Sequence, residues 1–191
     1  MRLSRHALST FALILLCSAS SLALYLAYRH AVPLTDDSYI TLTFAKNLAI
    51  GNGFIYNHPP AVQGTTTPLL ALMIAAIHAI VPIPLHLIAT LLSGFCWLGI
   101  GWLLVIFRKT WGLSLWQSAL AGALVIMTSV WPSTLGMEVY LFGFLLMLTA
   151  SLFFEGAYLL AGFVAGLLFL TRVEGALFGG LLGLTAISLH L

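Results

Sequence analysis

Long apolar runs separated by short polar segments dominate this chain. The first run, Phe11–Tyr28, has 18 residues without a charged side chain. Later apolar runs lie at residues 85–107, 114–131, 139–154, 157–171 and 175–190. Because about 20 apolar residues cross the hydrocarbon layer of a bilayer, the pattern predicts an all-α integral membrane protein with about six transmembrane helices.

The segment between the first and second of these runs differs, because its apolar positions recur with a helical period. Apolar side chains spaced four residues apart predict an amphipathic helix over Asp37–Ala49. Thr35 or Asp36 is placed to cap its N-terminus, and Gly51 is placed to end it. A further run, Leu69–Val81, is apolar but too short to span a bilayer. We therefore expect both helices to lie in the membrane interface, within a first external loop.

Basic residues beside the runs indicate the orientation. Arg2 and Arg5 precede the first run, which places the N-terminus in the cytoplasm. If Leu69–Val81 does not cross, Arg108 and Lys109 also lie inside, which gives four basic residues inside and three outside. If it crosses, the count becomes three inside and four outside. The positive-inside rule favours the first arrangement, which puts the acidic first loop outside.

The composition agrees with a membrane protein. The chain is 61% hydrophobic and 6% charged, and its mean hydropathy is +1.10, whereas soluble domains carry about 25% charged residues. A net charge of +2 gives no basis for binding nucleic acid. Cys17 and Cys96 lie in separate apolar runs and are interpreted as packing residues, and the histidines show no metal-ligand spacing.

Small residues one helical turn apart occur in two of the later runs. They are Ala119 with Ala123 and Gly162 with Gly166. In lipid, such pairs allow helix backbones to approach closely. Each pair thus marks a helix face that a neighbouring helix could approach closely.

The strongest candidate for chemistry is the acid pair Asp36 and Asp37, which holds two of the five acidic residues directly after the first apolar run. Ionisable groups beside lipid are costly, so their presence indicates function. A base that accepts a proton from a hydroxyl is one role for such a carboxylate. The alternative is that the pair only caps the interfacial helix.

Other charged residues are candidates with a local alternative each. Arg172 can bind phosphate through its forked donors, or form a salt bridge with Glu174. Glu138 can bind an acceptor or a metal ion, or can favour the positive end of a helix dipole. Lys46 is a weaker phosphate ligand, and its alternative is to extend toward the lipid headgroups.

Three polar motifs carry a resemblance to a known group of enzymes. The first is Asp36-Asp37-Ser38-Tyr39-Ile40 with Ala45, Leu48, Gly51, Phe54, Asn57, Val62, Gly64 and Thr66; the others are Gly136-Met137-Glu138 and Thr171-Arg172-Val173-Glu174-Gly175. In order and spacing they resemble the polyprenyl-phosphate-dependent GT-C glycosyltransferases. That group includes protein O-mannosyltransferases, aminoarabinose transferases and bacterial arabinosyl or mannosyl transferases. Its members are longer, so this chain resembles the N-terminal part of one.

The resemblance implies a GT-C-like transmembrane module over residues 1–191, truncated at its C-terminus. Residues 1–28 would form the first span, 29–84 the external catalytic loop and 85–191 the remaining spans. The implied reaction transfers a sugar from a lipid-linked donor to a hydroxyl of a cell-envelope glycan, lipid or protein. It would take place at the outer face of a bacterial plasma membrane.

The resemblance also implies roles for single residues. Asp36 matches the first acid of the group and would be the base. Asp37 would orient the acceptor, bind a divalent metal ion, or disfavour ionisation of its neighbour by like-charge repulsion. The substrate-binding candidates are Glu138, Arg172, Glu174 and Lys46. No cofactor other than that metal ion is implied.

Two other classes of function remain open. One is a truncated, non-catalytic membrane subunit, because the chain is shorter than the enzymes it resembles. The other is a small transporter, which would need polar or charged groups in the middle of its spans. The apolar runs are nearly free of such groups.

Overall fold

The computed structural model describes residues 34–57, 64–127 and 136–190, together with isolated positions 15, 18, 19 and 134. The described ranges contain seven helices and no strand. The helices are α1 (Asp36–Ala49), α2 (Pro68–Ile80), α3 (Leu85–Ile106), α4 (Leu115–Met127), α5 (Val139–Phe154), α6 (Tyr158–Thr171) and α7 (Glu174–His190). Apart from three isolated positions, the expected first span lies outside the described residues.

The all-helical class is confirmed, and the helix bounds follow the sequence pattern closely. α5 has the predicted bounds, and α1, α2, α3, α6 and α7 each begin or end within one residue of them. The expected end of α4 at residue 131 lies outside the described residues. Gly51, which was expected to end α1, has φ +82°, a backbone conformation that glycine adopts without strain.

Helix length distinguishes α3 from the other described helices. At 22 residues it has both the length and the apolar composition of a membrane span. The remaining apolar helices have 10 to 17 residues, or about 26 Å at most. The hydrocarbon layer is about 30 Å thick, so helices of that length would need a locally thinned bilayer to cross it.

α3 lies at the centre of the packing. It contacts α4 on one side and α5 on another, while α6 packs on α5 and α7 packs on α6. α3 and α4 approach closely at Gly101 and Gly122, where a Cβ on Gly122 would lie 2.6 Å from the Gly101 carbonyl oxygen.

The two small-residue pairs differ in their surroundings within the described part of the chain. Ala119 and Ala123 are buried beside the glycine contact between α3 and α4. A Cβ on Gly162 or Gly166 would meet nothing within 4 Å among the described residues. Small residues four positions apart show that another helix could approach closely, but they do not show whether a neighbouring helix is present at that face.

Two charged turns of the molecule lie at opposite ends of α5. Glu138 precedes α5, and Glu155 follows it, with 16 helical residues or about 24 Å between them. At the C-terminal end, the Thr110 hydroxyl donates to the Glu155 carboxylate. The turn that holds Arg108 and Lys109 therefore lies at the opposite end of α5 from Glu138.

Candidate functional site

The acid pair lies in the first turn of α1. Both Asp36 and Asp37 are exposed, at the helix end where the backbone dipole favours negative charge. The expected cap is not formed by Thr35, because its side chain makes no capping hydrogen bond to the backbone. The Thr35 hydroxyl is instead 2.9 Å from the Ser38 hydroxyl. Asp36 is the first helical residue, so the pair lies inside the helix and not at the N-cap position.

The first turn of α1 packs against the turn that precedes α5. Ser38 is buried, and a Cβ on Gly136 would lie 3.4 Å from its Oγ. The same Cβ would lie 3.1 Å from Leu34 Cδ2. Gly136 has φ +77°, which a residue with a side chain adopts only with strain. Two of the three sequence motifs are therefore in contact.

Ser93 of α3 holds this turn in place. The Gly136 amide donates to Ser93 Oγ at 3.2 Å, and Ser93 Oγ donates to the Met137 carbonyl at 3.4 Å. Ser93 is only 3% exposed. Because buried backbone groups need partners, one hydroxyl on α3 binds both the Gly136 amide and the Met137 carbonyl of the turn that carries Glu138.

Glu138, Arg172 and Glu174 form one ion-paired cluster. The Arg172 Nη1 donates to Glu138 Oε1 at 2.8 Å. Nη2 of the same guanidinium donates to Glu174 Oε1 at 3.0 Å, and Nε donates to Oε2 at 3.4 Å. The local salt bridge with Glu174 that was the alternative for Arg172 therefore forms, and a long-range contact with Glu138 forms beside it.

Charge and exposure differ across this cluster. The Glu138 side chain is 9% exposed, whereas those of Arg172 and Glu174 are 41% and 53% exposed. The hydrogen bond from Arg172 lowers the pKa of Glu174, and the bond to Glu174 raises the pKa of Arg172.

The Arg172 guanidinium has five N–H groups, and its three contacts with Glu138 and Glu174 use three of them. Two N–H groups therefore remain for a ligand.

An open cleft adjoins the cluster. It has a volume of about 270 Å³ and is lined by Val139, Phe142, Arg172 and Glu174. Two apolar side chains thus stand beside a cation that still has donors. A ligand with an anionic group next to an apolar chain matches that combination.

The structure brings most of the predicted site residues to one end of the helices, which we call the site end. The site end comprises Asp36, Asp37, Glu138, Arg172 and Glu174, joined through the contacts of Ser38 with Gly136 and of Glu138 with Arg172. Lys46 is separate from it. That residue is exposed in the last turn of α1, ten residues or about 15 Å along the axis from the acid pair.

Sequence reasoning did not identify the residues that hold the loops of the site. Ser93 was missed, although a polar residue inside an apolar run is a usable signal. The Asn47 amide donates to the Ile55 and Tyr56 carbonyls at 2.8 and 3.0 Å, which ties the loop after α1 to that helix. Phe44 packs on Phe54 of the first motif, with ring centroids 4.8 Å apart. Phe54 of the first motif therefore has a structural role.

The described residues give no support to a metal role for Asp37. No group of three or more His, Cys, Asp or Glu side chains in the described part of the chain could hold a metal ion.

Comparisons with known proteins do not assign a family. Neither a scan against protein-family models nor searches of curated proteins and of solved structures found a match to this chain. The site is therefore interpreted from its own geometry and from the sequence motifs.

Proposed function

We propose that this chain is the N-terminal membrane module of a GT-C-type glycosyltransferase. Such an enzyme would transfer a sugar from a polyprenyl-phosphate donor to an acceptor hydroxyl at the outer face of a bacterial plasma membrane. The observation that supports this most is the 2.8 Å contact between Arg172 and Glu138. It joins two of the three motifs, and the third motif contacts the same turn through Ser38.

The proposed chemistry assigns the base to Asp36. Its exposed carboxylate would accept the proton of the acceptor hydroxyl as that oxygen bonds to the anomeric carbon of the sugar. The bond between the anomeric carbon and the phosphate oxygen breaks, and the polyprenyl phosphate leaves with the bonding electrons. Asp37, exposed beside the base, would orient the acceptor.

Arg172 would receive the departing phosphate. Glu138 and Glu174 fix its guanidinium from two sides and leave two N–H groups for phosphate oxygens. Val139 and Phe142 would contact the first part of the lipid chain in the adjoining cleft. Fixed donors are effective because they need no reorganisation as charge develops on the leaving group.

A transporter is less consistent with the distribution of charge. Each described Asp, Glu, Lys and Arg lies in a turn or in the first or last turn of a helix. Transporters place such groups near the middle of the membrane. A non-catalytic subunit is the second candidate, because the two ion pairs of Arg172 are equally consistent with a structural role for that residue.

Sugar transfer in proteoliposomes, with a polyprenyl-phosphate-linked sugar as donor, tests the proposal. Asp36→Asn keeps the size of the side chain but removes the base, so turnover should fall about a hundredfold to ten-thousandfold. Lys46→Gln, which changes a charge outside the site end, should leave turnover unchanged. The assay uses the intact protein that contains this segment. Unchanged turnover in Asp36→Asn would show that the acid is structural, and absence of transfer by the unsubstituted intact protein would favour a non-catalytic subunit.

A further inference from the structure

A second polar surface lies at the end of α5 remote from the candidate site. We call it the basic end and define it by Arg108, Lys109, Trp111, Trp116 and Phe154. The Trp111 ring meets the Phe154 ring edge-on, with centroids 5.7 Å apart. The Trp111 indole N–H donates to Ser151 Oγ at 3.2 Å. These contacts fix the turn between α3 and α4 against the C-terminus of α5.

Within the described residues, Arg108 and Lys109 of the basic end have no acidic partner. Glu155 is the acid that the structure describes there, and its carboxylate accepts the hydrogen bond of Thr110. Within the described ranges, the ion pairs are those of Arg172, and neither Arg108 nor Lys109 forms one. Both cations are therefore available to an external anion. At the site end the balance is reversed, with four carboxylates beside one guanidinium.

Large aromatic side chains are exposed next to these cations. Trp116 is 59% exposed and Phe154 is 62% exposed. Exposed aromatic rings at this density are unfavourable in water, but they are typical of the boundary between headgroups and acyl chains. Exposed aromatic rings next to Arg108 and Lys109, which form no ion pair in the described structure, are complementary to lipid headgroups that carry negative charge.

We propose that the basic end binds the headgroups of anionic phospholipids in preference to zwitterionic ones. Arg108 and Lys109 contact the phosphates, while Trp116 and Phe154 lie at the level of the upper acyl chains. The inference rests on the membrane placement in the proposed function and does not depend on sugar transfer. It also assigns the basic end to the leaflet opposite the candidate site, because the two lie at opposite ends of α5.

Quenching of tryptophan fluorescence by brominated lipids tests the proposal on the full chain in detergent. Brominated phosphatidylglycerol is compared with brominated phosphatidylcholine, and the ratio of their binding constants is measured. The parent chain should prefer phosphatidylglycerol. Lys109→Gln should reduce the ratio of binding constants about fivefold. The double variant Arg108→Gln, Lys109→Gln should reduce it about 25-fold. Lys46→Gln removes the same charge outside the basic end and should leave the ratio unchanged.

The outcomes separate this inference from the membrane placement. Equal quenching by the two lipids would overturn the lipid preference while leaving the chain in the membrane. An equal loss of preference in Lys46→Gln and Lys109→Gln would overturn the assignment to the basic end. A chain that stays in solution without detergent and is quenched by neither lipid would overturn both. Added salt should lower the ratio if headgroup charge is the cause.

Discussion

Arg172 Nη1 lies 2.8 Å from Glu138 Oε1, although 34 residues separate the two in sequence. The contact connects the turn before α7 with the start of α5. The Glu138 side chain is 9% exposed, whereas that of Arg172 is 41% exposed, so the guanidinium still reaches solvent. The pair thus fixes the orientation of a cation that has two N–H groups left beside its three contacts in the described structure.

Substituting Arg172 should show whether its positive charge alone, or also the planar fork of its donors, is needed to bind the lipid-phosphate donor. Arg172→Lys keeps the positive charge but cannot bridge both carboxylates, since an ammonium lacks the planar fork. We expect KM for the lipid-phosphate donor to rise about tenfold or more, the equivalent of one lost charged hydrogen bond. Steady-state kinetics in proteoliposomes measures this, with Lys46→Arg as the exposed control. An unchanged KM would show that Arg172 does not contact the donor.

Ser93→Ala should destabilise the turn that carries Glu138. It leaves the Gly136 amide and the Met137 carbonyl without the hydroxyl that binds both. Losing a buried partner costs about 1–3 kcal/mol. Thr185→Ala, which removes an exposed hydroxyl bonded to its own helix, should change stability by less than about 0.5 kcal/mol. Thermal unfolding in detergent compares the two, and equal effects would mean that Ser93 does not support the turn.

Gly136→Ala and Gly162→Ala should have opposite effects. At Gly136 the φ of +77° and the nearby Leu34 side chain oppose a Cβ, and the left-handed conformation alone costs about 1–2 kcal/mol. At Gly162 a Cβ meets nothing within 4 Å in the described structure, so alanine should stabilise the helix by about 0.5–1 kcal/mol. Unfolding midpoints of the two variants provide the measurement. Destabilisation by Gly162→Ala would indicate a close neighbour at that face.

The Arg172–Glu174 contact should give stability a dependence on acid pH. The hydrogen bond from Arg172 lowers the folded-state pKa of Glu174 below its ordinary value of 4.5. The contribution is therefore fully present above pH 4.5 and is lost as the pH falls through the lower folded-state pKa. Glu174→Gln should remove this part of the pH dependence, and the effect should be small because the side chain is exposed. Unfolding midpoints across that pH range, in parent and variant, test the sign.

The sequence by itself determined the helices. Their bounds depend on local features, namely apolar runs, flanking prolines and glycines at helix ends, and these act within a few residues of the position they affect. α5 matches its predicted bounds, and Gly51 ends α1 as expected. The sequence also identified the charged residues of the site end, because ionisable groups stand out against an apolar chain.

Only the tertiary structure decided which of these residues meet. It joined Arg172 to Glu138 as well as to Glu174, and separated Lys46 from the site end. It also put the close helix contact at Gly101 and Gly122 and left Gly162 without a neighbour in the described structure. The physical reason is that periodicity specifies which face of a helix is apolar or small. Which helix packs on that face depends on how all the helices pack together, and a local sequence pattern does not contain that information.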